Sequence, residues 1–199
     1  MVEQWVRPGV DGRPRCWWAV DTDLNYEHYH DSEWGTVVKD GRALFEKLVL
    51  EGFQAGLSWL TILRKRENFR AAFDGFDPSI VASYNDLEVE RLLDDQGIVR
   101  SRAKISAAIS NARVVTTQFE TLTDFSEHLW SFAPSADRRE VDPRREWTFP
   151  VPGLTPSSER LARSLKDTGW KFLGPTSAYA FMQSVGMVDD HVPGCWRAP

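Results

Sequence analysis

Two cysteines and four histidines are the only thiols and imidazoles in this 199-residue chain, and most of them gather near its two ends. Cys16 and His30 have thirteen residues between them, while His191 and Cys195, in "DDHVPGC", have three. A thiolate and an imidazole at such spacings can reach one tetrahedral ion. Four protein donors fill zinc's coordination and leave no position for water, so the ion would be structural, one per chain. Such a site would fasten termini that otherwise fray. His28 competes with His30 for its place. Two buried free thiols with two surface histidines are the alternative. A lasting disulfide is not expected in a reducing cytoplasm.

A second chemical signal lies in "LVLEGFQAGLSW", where Glu51 follows Leu48, Val49 and Leu50 in an apolar helix. A carboxylate there must be solvated, paired or put to use, because burial without a partner is costly. Gly52 and Gly56 leave room for a bulky group, Gln54 brings an amide and Trp59 a flat surface. "CWWAV" and "YEHYHDSEWG" add Trp17, Trp18, Tyr26, Tyr29 and Trp34. Together they describe a pocket for a planar, polar, cationic ligand, with rings that stack on nucleobases. The competing reading is a helix-surface glutamate facing water.

The third signal is "LLDDQGIVRSRAKISAAISNA", which reads as helix, tight turn and helix with Gly97 at the turn. Such a hairpin directs backbone N–H groups and a helix N-terminus toward a phosphate. Arg100, Arg102 and Lys104 add charge without sequence readout, and Arg64, Lys65, Arg66 and Arg70 would extend the basic face. A generic helical turn is the bland alternative.

These residues need a scaffold, and the sequence predicts a helical one. Asp40 caps "RALFEKLVLEGFQAG", which Gly56 stops; Ser58 caps "WLTILRKRENFRAAF". Asp77 and Pro78 form a cap and first helical position, Asn85 and Glu88 have capping-box spacing, and a helix runs from about Ser101 to Thr117. Thr123 is expected to cap "DFSEHLWSF". Residues 134–156 read as a long loop, after which Thr155-Pro156 and Pro175 restart helices. Alternation of period two is scarce, so the expected fold class is all-α in one domain. Hydrophobic residues at 42% and charged ones at 27% fit a soluble globular protein. A net charge of −5 argues mildly against a protein coated in base, though not against a local basic face. No run of eighteen apolar residues spans a membrane, and the N-terminus lacks an export signal's apolar region. A cytoplasmic location is expected.

"YHDSEWG", "LEGFQAGLSWLTILRKRENFRAAF", "GIVRSRAKI" and "FMQSVGMVDDHVPGC" resemble the bacterial DNA-3-methyladenine glycosylase I family, in the family's order, from about Cys16 to Cys195. That resemblance implies a helix-hairpin-helix glycosylase whose N- and C-terminal segments are joined by structural zinc on Cys16, His30, His191 and Cys195. It implies Glu51 as the pocket carboxylate, with Trp18, Tyr26, Tyr29 and Trp59 around the base and Trp34 and Gln54 beside them. Leu57 would wedge into the duplex, and hairpin residues Gly97, Val99, Arg100, Arg102 and Lys104 would hold the DNA backbone. The domain would span residues 16–199, with the hairpin around 86–117 and residues 1–15 as a flexible extension. Ser101 stands where related glycosylases place a lysine, and no Asp occurs between Gln96 and Thr123, so no Schiff-base lyase step is expected. The implied partner is double-stranded DNA containing 3-methyladenine, bound by a monomer. A non-enzymatic zinc-containing helix-hairpin-helix DNA-binding module is the rival.

Overall fold

Asp40, Ser58, Asp77, Asn85 and Thr155 each open a helix, as their sequence neighbourhoods predict. In the computed structural model, which describes residues 5–20, 23–134 and 151–198, their side chains accept from backbone N–H groups of the first turn. These contacts satisfy donors that a helix start leaves unpaired. The helices among the described residues are α1 (Leu24–Ser32), α2 (Gly41–Gln54), α3 (Trp59–Ala72), α4 (Pro78–Ala82), α5 (Asp86–Asp94), α6 (Arg102–Gln118), α7 (Leu122–Trp130), α8 (Pro156–Asp167) and α9 (Pro175–Ser184). The chain is mostly helical, in line with the all-α expectation. No described helix is long and apolar enough to cross a membrane.

α2 forms the centre. Leu44, Phe45, Leu48, Val49, Leu50 and Phe53 are all buried, and α3, α6, α7 and α9 pack around them. A helix apolar on most faces has to be enclosed this way. It ends at Gln54, and Gly56 takes the left-handed φ of +80° that turns the chain into α3. Gly97, between α5 and α6, is required for a different reason. A Cβ there would lie 3.0 Å from the Asn68 Cβ on α3.

Two capping expectations are corrected. α7 is capped by Thr121, not Thr123, because Thr121 and Asp124 have the spacing for a reciprocal capping box. Asn85 caps α5 through Leu87 N, but Glu88 binds Arg91 instead of closing a box. Within the expected extension of residues 1–15, the described residues 5–15 include strand structure that continues to Cys16. β1 (Val6–Pro8) and β2 (Pro14–Cys16) pair antiparallel, with Val6 opposite Cys16. Arg15 anchors this hairpin: it is 3% exposed and reaches Asp11 and Asp31, each at 2.6 Å. Three-residue strands are too short to show an alternating pattern. Of the loop predicted at 134–156, residues 135–150 lie outside the described residues.

Candidate active site

Glu51 projects from the last turn but one of α2 into a cavity of about 330 Å³. It is 3% exposed, and its Oε2 has no hydrogen-bond partner. Burial raises its pKa to about 8, against the opposing pull of Lys47 one turn earlier on the same helix. Lys47 is itself buried, 3.3 Å from Glu33 Oε2 and 5.1 Å from the Tyr29 ring centroid. The surface-glutamate alternative is therefore excluded by geometry.

Trp18, Tyr26, Tyr29, Trp34, Gln54 and Trp59 all line the same cavity. The rings form a continuous row: Trp34 to Trp18 at 4.9 Å, Trp18 to Tyr26 at 5.2 Å, Tyr26 to Tyr29 at 6.4 Å and Tyr29 to Trp59 at 5.6 Å. Four local segments deliver them: the short helical turn Trp17–Ala19, α1, the turn after α1 that carries Trp34, and the start of α3. Trp59 Nε1 is a second buried polar atom without a partner. Burial first, then the Glu51 charge, raises the Tyr26 and Tyr29 pKa values, so both phenols stay neutral. The sequence reading missed the opposite wall, where Thr176, Tyr179, Gln183 and Asp190 stand. Asp190 was visible only as part of a motif that metal binding already explained.

Behind Trp18 and Trp34 lies the candidate metal centre. Ligand atoms of Cys16, His30 and Cys195, all buried, lie within 4.8 Å of one another. His191 stands against them, its ring centroid 4.9 Å from that of His30. Each imidazole is oriented by a carboxylate: His30 Nδ1 is 2.8 Å from Asp31 and His191 Nδ1 is 2.7 Å from Asp189. That is the arrangement by which an outer carboxylate fixes a metal-bound imidazole, and it leaves both Nε2 atoms for other work. His30 Nε2 is 3.4 Å from Cys195 Sγ, and His191 Nε2 is buried without a partner. Val192 N and Arg197 N approach the two sulfurs at 3.5 Å. The donor set fits a soft divalent ion. His28, by contrast, is exposed and only meets Ser32, so the structure selects His30. Gly35, at a φ of +75°, leaves the room His191 needs; a Cβ there would sit 2.9 Å from its ring.

The turn between α5 and α6 comes to the same side as the α2–α3 bend. Lys65 Nζ donates to Gln96 O at 2.9 Å and Gly97 O at 3.2 Å. Lys104 Nζ donates to Phe53 O at 3.0 Å and Ala55 O at 2.6 Å, carbonyls that the end of α2 leaves over. Leu57, 41% exposed, crowns that bend. Val99 is half-buried, Arg100 is exposed and Arg102 pairs with Glu90. The wider basic face expected from α3 is corrected. Arg64 pairs with Asp23, Arg66 with Glu33 and Arg70 with Glu46, while Lys65 is held by the turn.

The methyladenine glycosylase family model matches residues 18–198. DNA-3-methyladenine glycosylase 1 of Escherichia coli (strain K12) is 45% identical over 185 residues, covering 93% of this chain and 97% of the relative. A crystal structure of 3-methyladenine DNA glycosylase I superposes with a TM-score of 0.81 at 44% identity, covering 93% of this chain and 100% of the other. A second, 3-methyladenine DNA glycosylase I from Staphylococcus aureus, solved for the structural basis of 3-methyladenine recognition, gives a TM-score of 0.76 at 33% identity over 90% of this chain and 94% of its own. Shared sequence along nearly the whole length, together with a shared fold, means that the chain belongs to the methyladenine glycosylase family.

Proposed function

We infer that this protein is a base excision repair DNA glycosylase that hydrolyses the N-glycosidic bond of 3-methyladenine in alkylated double-stranded DNA, without lyase activity. The observation that carries this reading is the unpartnered Glu51 Oε2 inside the row of aromatic rings. A purine methylated at N3 is cationic, and its bond to deoxyribose is already weak. The protein therefore need not protonate the leaving base. It must hold the base out of the stack, favour a positive π-system over neutral adenine, and exclude water from the base faces.

Glu51 meets the first two demands at once. With a pKa near 8 it is largely neutral in the empty cavity at pH 7, and an entering cation opposes that shift. Its oxygen then accepts a hydrogen bond from the exocyclic amine, while Trp18, Tyr26, Tyr29 and Trp59 supply ring faces and edges and Trp34 and Gln54 close the surround. The bond between the sugar C1′ and the base breaks with its electron pair leaving on the purine. Water adds to C1′ and its proton passes to solvent.

The α5–turn–α6 unit serves as the helix-hairpin-helix. Gly97, Val99, Arg100 and Arg102 face the DNA backbone, Lys104 stiffens the α2–α3 bend, and Leu57 fills the gap the base leaves. Cys16, His30, His191 and Cys195 hold one zinc ion; His191 Nε2, buried with no other partner, supports it as the fourth donor. Four protein ligands make that ion a structural one. In this reading residues 16–199 form the glycosylase domain, a cytoplasmic monomer.

The test is release of free 3-methyladenine from alkylated duplex by the wild-type protein and by Glu51→Gln. Release by the wild type and a loss of about 100-fold or more in the variant are expected. Binding of intact and alkylated duplex alike, with no base released, would establish the non-enzymatic module instead.

A further inference from the structure

The cavity that holds Glu51 contains a second carboxylate with a different setting. Asp190, 7% exposed, follows α9 and forms part of the wall supplied by the C-terminal segment. Its Oδ2 accepts from Tyr179 Oη at 2.5 Å and from Gln183 Nε2 at 2.8 Å. Those donors sit four residues apart on α9, hence on one face. Both are neutral, and among the described residues no lysine or arginine pairs with Asp190. Oδ1 takes no hydrogen bond there. The backbone on either side is also fixed, since Asp189 and His191 belong to the metal centre. Here is an acidic side chain positioned by two donors, with no cation paired to it. Glu51 has the reverse character: no donor on Oε2 and a Lys47 charge one turn away.

Hydrolysis makes two demands on such a cavity. The base has to be recognised, and the positive charge that builds on deoxyribose as the base departs has to be met by a fixed negative group. One side chain on α2 is poorly suited to both, because a group that binds the base is not free to face the sugar. We propose that Asp190 is a further catalytic residue, whose carboxylate stabilises the oxocarbenium-like sugar and orients the attacking water, leaving Glu51 to recognise the base. The C1′–N bond breaks with both electrons going to the cationic purine, which leaves neutral. Water's oxygen bonds to C1′ and its proton goes to bulk solvent, so Asp190 stays a carboxylate throughout. This assignment rests on the glycosylase reading above.

Single-turnover excision of 3-methyladenine from alkylated duplex tests it, alongside binding of free 3-methyladenine followed by tryptophan fluorescence. For Asp190→Asn the expected result is a fall in excision rate of about 100-fold, with free-base affinity close to the wild type's. Gln183→Met removes one orienting donor without touching the carboxylate. It should lower the rate in the same sense by a smaller factor, and it decides the matter if Asp190→Asn loses its metal or fails to fold. Wild-type rates in these variants overturn the proposal. So does a loss of free-base affinity that matches the loss of rate, which would make Asp190 part of recognition. A wild-type protein that releases no 3-methyladenine would defeat the glycosylase reading itself, a result distinct from either.

Discussion

Trp18 and Trp34 stand between two buried polar regions that treat their atoms differently. In the metal cluster each imidazole has a carboxylate on Nδ1, and the unpartnered His191 Nε2 faces a closed group of donors. In the cavity, Glu51 Oε2 and Trp59 Nε1 have no partner either, but the residues that carry them line the cavity wall. An unmade hydrogen bond in a buried place costs about 1–3 kcal/mol. In the proposed zinc site, the cluster would recover that cost by closing around an ion within the protein. The cavity recovers it only when a ligand enters. The two regions are thus neighbours, because the same two indoles touch the imidazoles and line the cavity.

The harshest way to break this contrast is to attack the cluster. Cys195→Ser, or stripping the metal with a chelator, should produce the largest loss of stability, since structural zinc sites contribute on the order of 10 kcal/mol. Metal analysis should return about one zinc per wild-type chain, and thermal unfolding should show the loss. A metal-free protein that melts like the holo form would erase the distinction.

Attacking the cavity should do the opposite. Glu51→Met removes a buried, unpartnered carboxylate, so we expect stability to rise by about 1–3 kcal/mol while excision collapses. The pH dependence sharpens this. In the unfolded chain Glu51 ionises near its ordinary value of 4.5, whereas in the folded chain it keeps its proton until about pH 8. Between those values the folded state binds more protons, so this group's contribution to stability falls as pH rises and levels off above 8. Denaturant midpoints across that range should converge for wild type and Glu51→Met toward low pH and separate toward high pH. Parallel curves would show that the carboxylate is not buried as described.

A smaller effect is expected at the junction with the hairpin. Lys104→Met loses two hydrogen bonds to the end of α2 and should cost about 1.5–3 kcal/mol. Its mark should be weaker binding of duplex DNA with little change in affinity for free 3-methyladenine. Smallest of all, Thr121→Ala removes the α7 cap, far from both regions in the chain. It should cost about 1 kcal/mol without altering excision at saturating DNA.

What the sequence revealed follows from the range of the interactions involved. Caps such as Asp40, Ser58 and Thr155 bond within three residues, so their neighbours announce them. Glu51 was legible because a carboxylate among leucines is conspicuous at any distance. The fate of the cations on α3 was hidden, because Glu33, Asp23 and the carbonyls of Gln96 and Gly97 lie 31 to 41 residues away along the chain. Thr121 and Thr123 are chemically alike, and only the position of Asp124 separates them. Asp190 was masked by its neighbours, one explanation for "DDH" leaving no room for another.

The division of the cavity wall also has a temporal side. Glu51 and the ring row leave the ribosome early, whereas Tyr179, Gln183 and Asp190 arrive more than a hundred residues later. A nascent polypeptide therefore carries half a binding site and no clasp to shape it. Until translation delivers Asp190 and Cys195, the cavity lacks that part of its wall, and Cys16 and His30 lack their C-terminal neighbours.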